Sequence, residues 1–156
     1  FAAGVGAAGW TTLTTKNVTT NLHHDGVPPA AFHANEKLSS FYNLLSTNKD
    51  RKGNEFCSTY EGKTAPVTAT QWHPERPQFE WSPSKNINHS EESIDAMNDL
   101  ALYLVRESQK STHAFASVED ENDALIYKYA AENGGDPTNP SFKMFHFPAA
   151  GVASVN

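Results

Sequence analysis

Cysteine is almost absent from this chain: Cys57 is the single one in 156 residues. A lone cysteine excludes an internal disulfide framework and leaves a buried thiol, an intermolecular bridge or a nucleophile. Its setting, EFCSTY, alternates as a strand does and lacks the Gly-flanked sharp turn that exposes a nucleophile between strand and helix, so a buried apolar thiol is expected. Positive charge is also scarce, with 12 Lys and Arg against 18 Asp and Glu and a net charge of -6. Lacking the basic excess that phosphate-backbone binding needs, the chain is not expected to take nucleic acid as a partner. No stretch approaches the roughly 18 consecutive apolar residues of a membrane span. No Met opens the sequence, which suggests a processed or incomplete product.

What is present is the composition of one soluble globular domain: 38% hydrophobic, 11% aromatic and 19% charged residues, at a length that allows a real core. Residues 1–18, rich in Gly, Ala and Thr, read as a flexible terminus. The run Gly4 to Gly9 spells G-x-G-x-x-G, but no strand precedes it and TTLTTKNVTT is a poor helix, so the dinucleotide turn lacks both neighbours it requires. Residues 19–147 carry alternating elements, and 148–156 form a tail. Asn35 caps a short helix whose apolar second half continues as a strand, and the polar link Lys49 to Gly53 turns it into a second strand, 55–60. A third strand, 67–72, delivers His73 to its end. Ser90 caps an amphipathic helix with Ile94, Met97, Ala101, Leu104 and Val105 on one face. A further helix over 119–129, with Leu125 and Ile126 inward, and a closing strand in FKMFHF complete the expectation.

His73-Pro74-Glu75 is the candidate site. In extended chain, residues two apart project from one face, so Glu75 is placed to accept the N–H of one imidazole nitrogen and leave the other as a base. The competing explanation is a strand end with a solvated glutamate. His23 and His24 beside Asp25 raise the question of a metal, but adjacent side chains point apart in strands and no spaced third ligand stands out, so neither a metal nor another cofactor is expected. Asn17-Val18-Thr19 and Asn88-His89-Ser90 are N-glycosylation sequons, whereas Asn139-Pro140-Ser141 is excluded by its proline.

TQWHPERPQFEW, followed by SKNINHSEESI, LALYLVRESQKS and ALIYKY and preceded by NLHHDGVPPAAF, NEKLSSFYNLLSTN and EFCSTYEGKTAPVT, resembles the C-terminal portion of the gamma-glutamyl hydrolases. These are folate polyglutamate peptidases with the class I glutamine amidotransferase-like fold. The resemblance covers roughly residues 19–129, with a weaker fit at FKMFHF and none at FAAGVGAAGW. It implies an α/β protein: the C-terminal half of a three-layer sandwich, a mixed sheet flanked by helices, completed by a missing segment or another chain. It also implies a Cys-His-Glu hydrolase in which His73 and Glu75 match the base and its orienter, while the nucleophile lies outside this chain. By the same resemblance His23 is a candidate substrate contact, and a small gamma-glutamyl compound is the substrate; Trp72 and Trp81 are candidate contacts as well, against the core and rim packing that large aromatics usually provide. The partner is the N-terminal half of the same precursor or another chain. A secretory route, to the extracellular space, lysosome or vacuole, is implied as well, and the sequons at Asn17 and Asn88 agree with it. The alternative is a catalytically inactive structural or interaction subunit derived from that fold.

Overall fold

The computed structural model describes residues 1–133 and 143–147; the tail expected at 148–156 and the excluded sequon at Asn139 lie outside them. The chain begins with two short helices, α1 (Ala2–Val5) and α2 (Ala7–Thr15), joined at Gly6, whose φ of 88° is open to glycine at little cost. Most of the segment read as a flexible terminus is thus helical, although TTLTTKNVTT reads as a poor helix. Threonine-rich and weak in helix propensity, this segment forms helix because it packs on a partner: Val5 is buried, and at Gly9 a Cβ would meet the Asp99 carboxylate at 2.6 Å and the Val5 side chain at 2.9 Å, so a larger residue would push these neighbours aside. Val18, at 2% exposure, is tied down by the Ser93 hydroxyl, which donates to its carbonyl at 2.8 Å.

Helices α3 (Pro29–Ala34) and α4 (Glu36–Phe41) follow; Asn35 caps α4 by accepting from Leu38 N. The chain then runs directly into β1 (Tyr42–Lys49), turns at Gly53 (φ 85°), and returns as β2 (Glu55–Gly62). β3 (Thr68–Thr70) pairs with β2, giving a sheet of order β1-β2-β3. Both pairings are antiparallel, as connections this short dictate. Among the described residues no parallel pair occurs, so the α/β class is present but the mixed sheet is not. Phe56, Cys57, Ser58 and Thr59 are all buried, so β2 is covered on both faces.

A short helix, α5 (Arg76–Phe79), follows β3 and precedes α6 (Glu91–Ser108), where Ser90 accepts from Ser93 N and Glu91 and Glu92 occupy the first turn. The core cluster joins Trp72, Ala96 and Met97, with Leu13 and Leu100 against it. The apolar face expected on α6 is buried only in its first half. Met97 is 2% exposed, whereas Leu104 and Val105 are 66% and 49% exposed and Ala101 is also open, because in the second half of α6 the described elements α1 and β3 meet Tyr103 and leave these side chains uncovered. The later helix is α7 (Val118–Ala124), followed by a 3-10 turn over Ile126–Lys128; Leu125 and Ile126, expected inward, are about 40% exposed. The FKMFHF strand is β5 (Lys143–Phe145), paired with β4 (Ala131–Asn133) in a separate two-stranded sheet.

Candidate functional site

His73 stands just beyond β3, where its main chain forms an isolated antiparallel bridge with Thr20, its N–H donating to the Thr20 carbonyl at 2.9 Å. Pro74 follows and the chain turns into α5. Nδ1 of His73 and Oε1 of Glu75 lie 3.0 Å apart, with the side chains 32% and 55% exposed. With Nδ1–H donating to the carboxylate, Nε2 is left with its lone pair as a proton acceptor. Arg76 approaches the same carboxylate oxygen, Nε to Oε1 3.8 Å. Glu75 therefore sits between an imidazole and a guanidinium.

Behind this pair lies a buried charge network. Glu80 is 3% exposed and pairs with Arg76 and, at 2.7 Å, with Lys85. Burial pushes the Glu80 carboxyl up, but the Lys85 hydrogen bond and the charges of Arg76 and Lys85 outweigh it and hold the group below the ordinary carboxylate range. The i,i+4 spacing of Arg76, which opens α5, and Glu80, which follows its end, is visible in the sequence, although the burial is not. On its other side Glu75 borders an apolar hollow of about 310 Å³ whose walls include Phe79, Met97, Leu100 and Leu104.

The other candidates separate. Trp72, a candidate substrate contact, is 4% exposed; its indole donates to Thr59 Oγ1 at 3.1 Å and its ring belongs to the core, with an edge lining a hollow of about 430 Å³ beside Leu13 and Thr59. Trp81 is 61% exposed and stacks on His89 at 3.9 Å and 8°, the His89 Nδ1–H donating to Pro77 O at 2.8 Å. His23 is half-buried edge-on against Phe56 at 4.8 Å, with Nδ1 2.8 Å from the Asp25 carbonyl and Nε2 3.2 Å from Asn21 Oδ1. It lines a cleft of about 860 Å³ that also contains Arg76. The two sequon asparagines meet: Asn88 Nδ2 donates to the Asn17 carbonyl at 2.8 Å.

Cys57 is fully buried in β2, and its main-chain N–H donates to Val27 O at 2.8 Å. Burial pushes its thiol up, and the facing Tyr60 hydroxyl, itself pushed up to about 12 by burial and by Cys57, offsets this only in part. A buried thiol with a raised pKa is a poor nucleophile. Among the described residues no group of three His, Cys, Asp or Glu side chains is placed to hold a metal ion, and no helix is long and apolar enough to cross a membrane.

Known proteins are similar to this chain in sequence. The chain is 42% identical over 117 residues to gamma-glutamyl hydrolase of Mus musculus, covering 75% of this chain and 37% of that protein. It is 39% identical over 112 residues to gamma-glutamyl hydrolase B of Dictyostelium discoideum, covering 72% and 32%. With probable gamma-glutamyl hydrolase 3 of Arabidopsis thaliana the identity is 42% over 113 residues, again 72% and 32%. The chain thus spans about a third of the length of the curated relatives it matches. No family model matches it.

Proposed function

We propose that this chain, a relative of the gamma-glutamyl hydrolases, supplies the base and its orienting carboxylate to a cysteine peptidase of gamma-linked glutamates whose nucleophile lies outside these residues. The observation that carries the proposal is the 3.0 Å contact between His73 Nδ1 and Glu75 Oε1 on an open face. That contact fixes the tautomer a general base needs. The buried, strand-bound Cys57 supports placing the nucleophile elsewhere.

In this mechanism a thiolate from the completing segment attacks the gamma-carbonyl carbon, forming a C–S bond and a tetrahedral oxyanion. The C–N bond then breaks, and His73, protonated as the thiol gave up its proton, returns that proton to the leaving amine. A water molecule next attacks the thioester with His73 Nε2 taking its proton. The thiolate leaves as the free gamma-carboxylate product forms. Glu75 stabilises the imidazolium at each stage and does not itself change protonation state.

The antiparallel hairpin and its flanking helices are, on this proposal, the C-terminal part of a class I glutamine amidotransferase-like sandwich completed by the N-terminal part of the same precursor or another chain. Exposed apolar surface supports such a partner: Phe79 and Leu104 are 67% and 66% exposed beside the hollow that Glu75 borders. β3 also presents a free edge in its sheet. The sequons at Asn17 and Asn88 favour a secretory, lysosomal or vacuolar setting. The test is thiol-dependent cleavage of a gamma-glutamyl peptide by the protein with all its associated chains, and none by this chain alone. Cleavage by the chain alone would contradict the proposal, as would its absence from the assembly.

A further inference from the structure

A cleft of about 860 Å³ is not lined by His73 itself but by residues next to those that pair with His73 and Glu75. Thr19 and Asn21, which flank His73's main-chain partner Thr20, form one wall, and Arg76, next to Glu75, forms part of another. The remaining wall is the end of β1 and the turn between β1 and β2, carrying Lys49, Arg51 and Lys52. Five of the 12 Lys and Arg of a chain with net charge -6 line this one cleft. Arg76 and Lys85 are committed to Glu80, but among the described residues Lys49, Arg51 and Lys52 form no ion pair. Like charges gathered together repel one another, and a concave wall focuses their potential on whatever enters.

The one acidic residue of the lining, Asp50, interacts electrostatically with Lys52 and is outnumbered by the three cations of this wall. Its carboxylate is taken up by the turn, accepting from Lys52 N, Asn54 N and Asn54 Nδ2, each at 2.8 Å. Gly53, at φ 85°, closes that turn and fixes where the cations stand. At about 860 Å³ the cleft falls within the usual range of small-ligand sites, and the edge-on pair of His23 and Phe56 belongs to its lining.

We propose that Lys49 at the end of β1 and Arg51 and Lys52 of the hairpin turn, facing the residue 17–23 segment across this cleft, bind the free carboxylates of an acidic peptide whose reacting end lies at His73. The inference deepens the hydrolase reading and rests on it for the identity of the ligand. It adds that the hairpin turn sets the preference for substrates bearing more carboxylates.

The experiment measures binding of penta-gamma-glutamate to this chain by calorimetry at low and high salt, and cleavage of the same peptide by the complete assembly. The variants are the double reversal Arg51→Glu/Lys52→Glu, the neutral Arg51→Gln/Lys52→Gln, and Arg106→Glu/Lys110→Glu outside the cleft, each checked for an unchanged circular dichroism spectrum. Both turn residues are exposed, so the fold should survive their replacement. Binding is expected to weaken at least tenfold in the reversal, less in the neutral variant and hardly at all in the control, and to weaken with salt. In the assembly KM should rise while kcat holds. Equal binding by the reversal and the control overturns the inference, as does tripolyphosphate binding more tightly than the peptide with the same dependence on the turn. Charge-dependent binding without cleavage by the assembly defeats the hydrolase reading alone, and cleavage with KM unchanged in the reversal defeats this inference alone.

Discussion

The His73 main-chain N–H donates to the Thr20 carbonyl at 2.9 Å, tying the segment that follows β3 to a strand-like stretch far away in sequence. This tie holds the imidazole where its neighbour Glu75 can reach it. Thr20 is itself 5% exposed, and its hydroxyl is buried without a hydrogen-bond partner among the described residues.

A buried hydroxyl without a partner costs desolvation that valine, similar in shape, does not pay. Thr20→Val is therefore expected to leave the bridge intact and to change stability by no more than about 1 kcal/mol, in the stabilising direction. Urea unfolding measures it. A loss larger than about 1 kcal/mol would show that the hydroxyl has a partner.

Glu80 sets the acid sensitivity of the site's support. Its folded pKa lies below the ordinary value of 4.5, so its contribution is present above that value and is lost as pH falls from 4.5 through the folded value. Glu80→Gln leaves Arg76 and Lys85 without their carboxylate and is expected to cost roughly 3 kcal/mol at neutral pH. That deficit should shrink in acid, where the native carboxyl is also neutral. Thermal unfolding of both proteins at neutral and acid pH checks this; a deficit independent of pH would show that packing, not charge, holds Glu80.

Cys57 should react slowly with iodoacetamide in the native chain and rapidly in urea, because the thiol is fully buried and its pKa raised. Cys57→Ser should leave any hydrolase activity of the assembled protein nearly intact. Loss of activity with folding preserved would make Cys57 the nucleophile.

Much of this arrangement was legible where local chemistry decides it. Asn35 and Ser90 announce helix starts because their side chains satisfy free N–H groups, and Lys49 to Gly53 announces a hairpin because the turn needs a residue at positive φ. The spacing of His73 and Glu75 allowed their contact before any fold was known. What escaped depends on tertiary partners. The helix α2 forms in a Thr-rich segment because Gly9 lets it approach α6, an effect no local propensity carries. The periodicity of α6 identifies an apolar face but not what covers it, so Leu104 was expected inward and stands open. Trp72 and Trp81 look equivalent in the sequence, yet one is core and the other surface. The cations of the hairpin turn are unremarkable in sequence and form a cleft wall only once the 17–23 segment faces them.

The central claim, that His73 is the base of a gamma-glutamyl hydrolase assembled around this chain, is tested most directly by one comparison. Turnover of a gamma-glutamyl peptide is measured for the complete assembly carrying either native His73 or His73→Ala, with this chain alone as the blank. The account predicts no turnover by the blank, thiol-sensitive turnover by the native assembly, and a fall in kcat of about 10²- to 10⁴-fold on His73→Ala, the usual worth of a general base. An assembly whose kcat is unchanged by His73→Ala would contradict it.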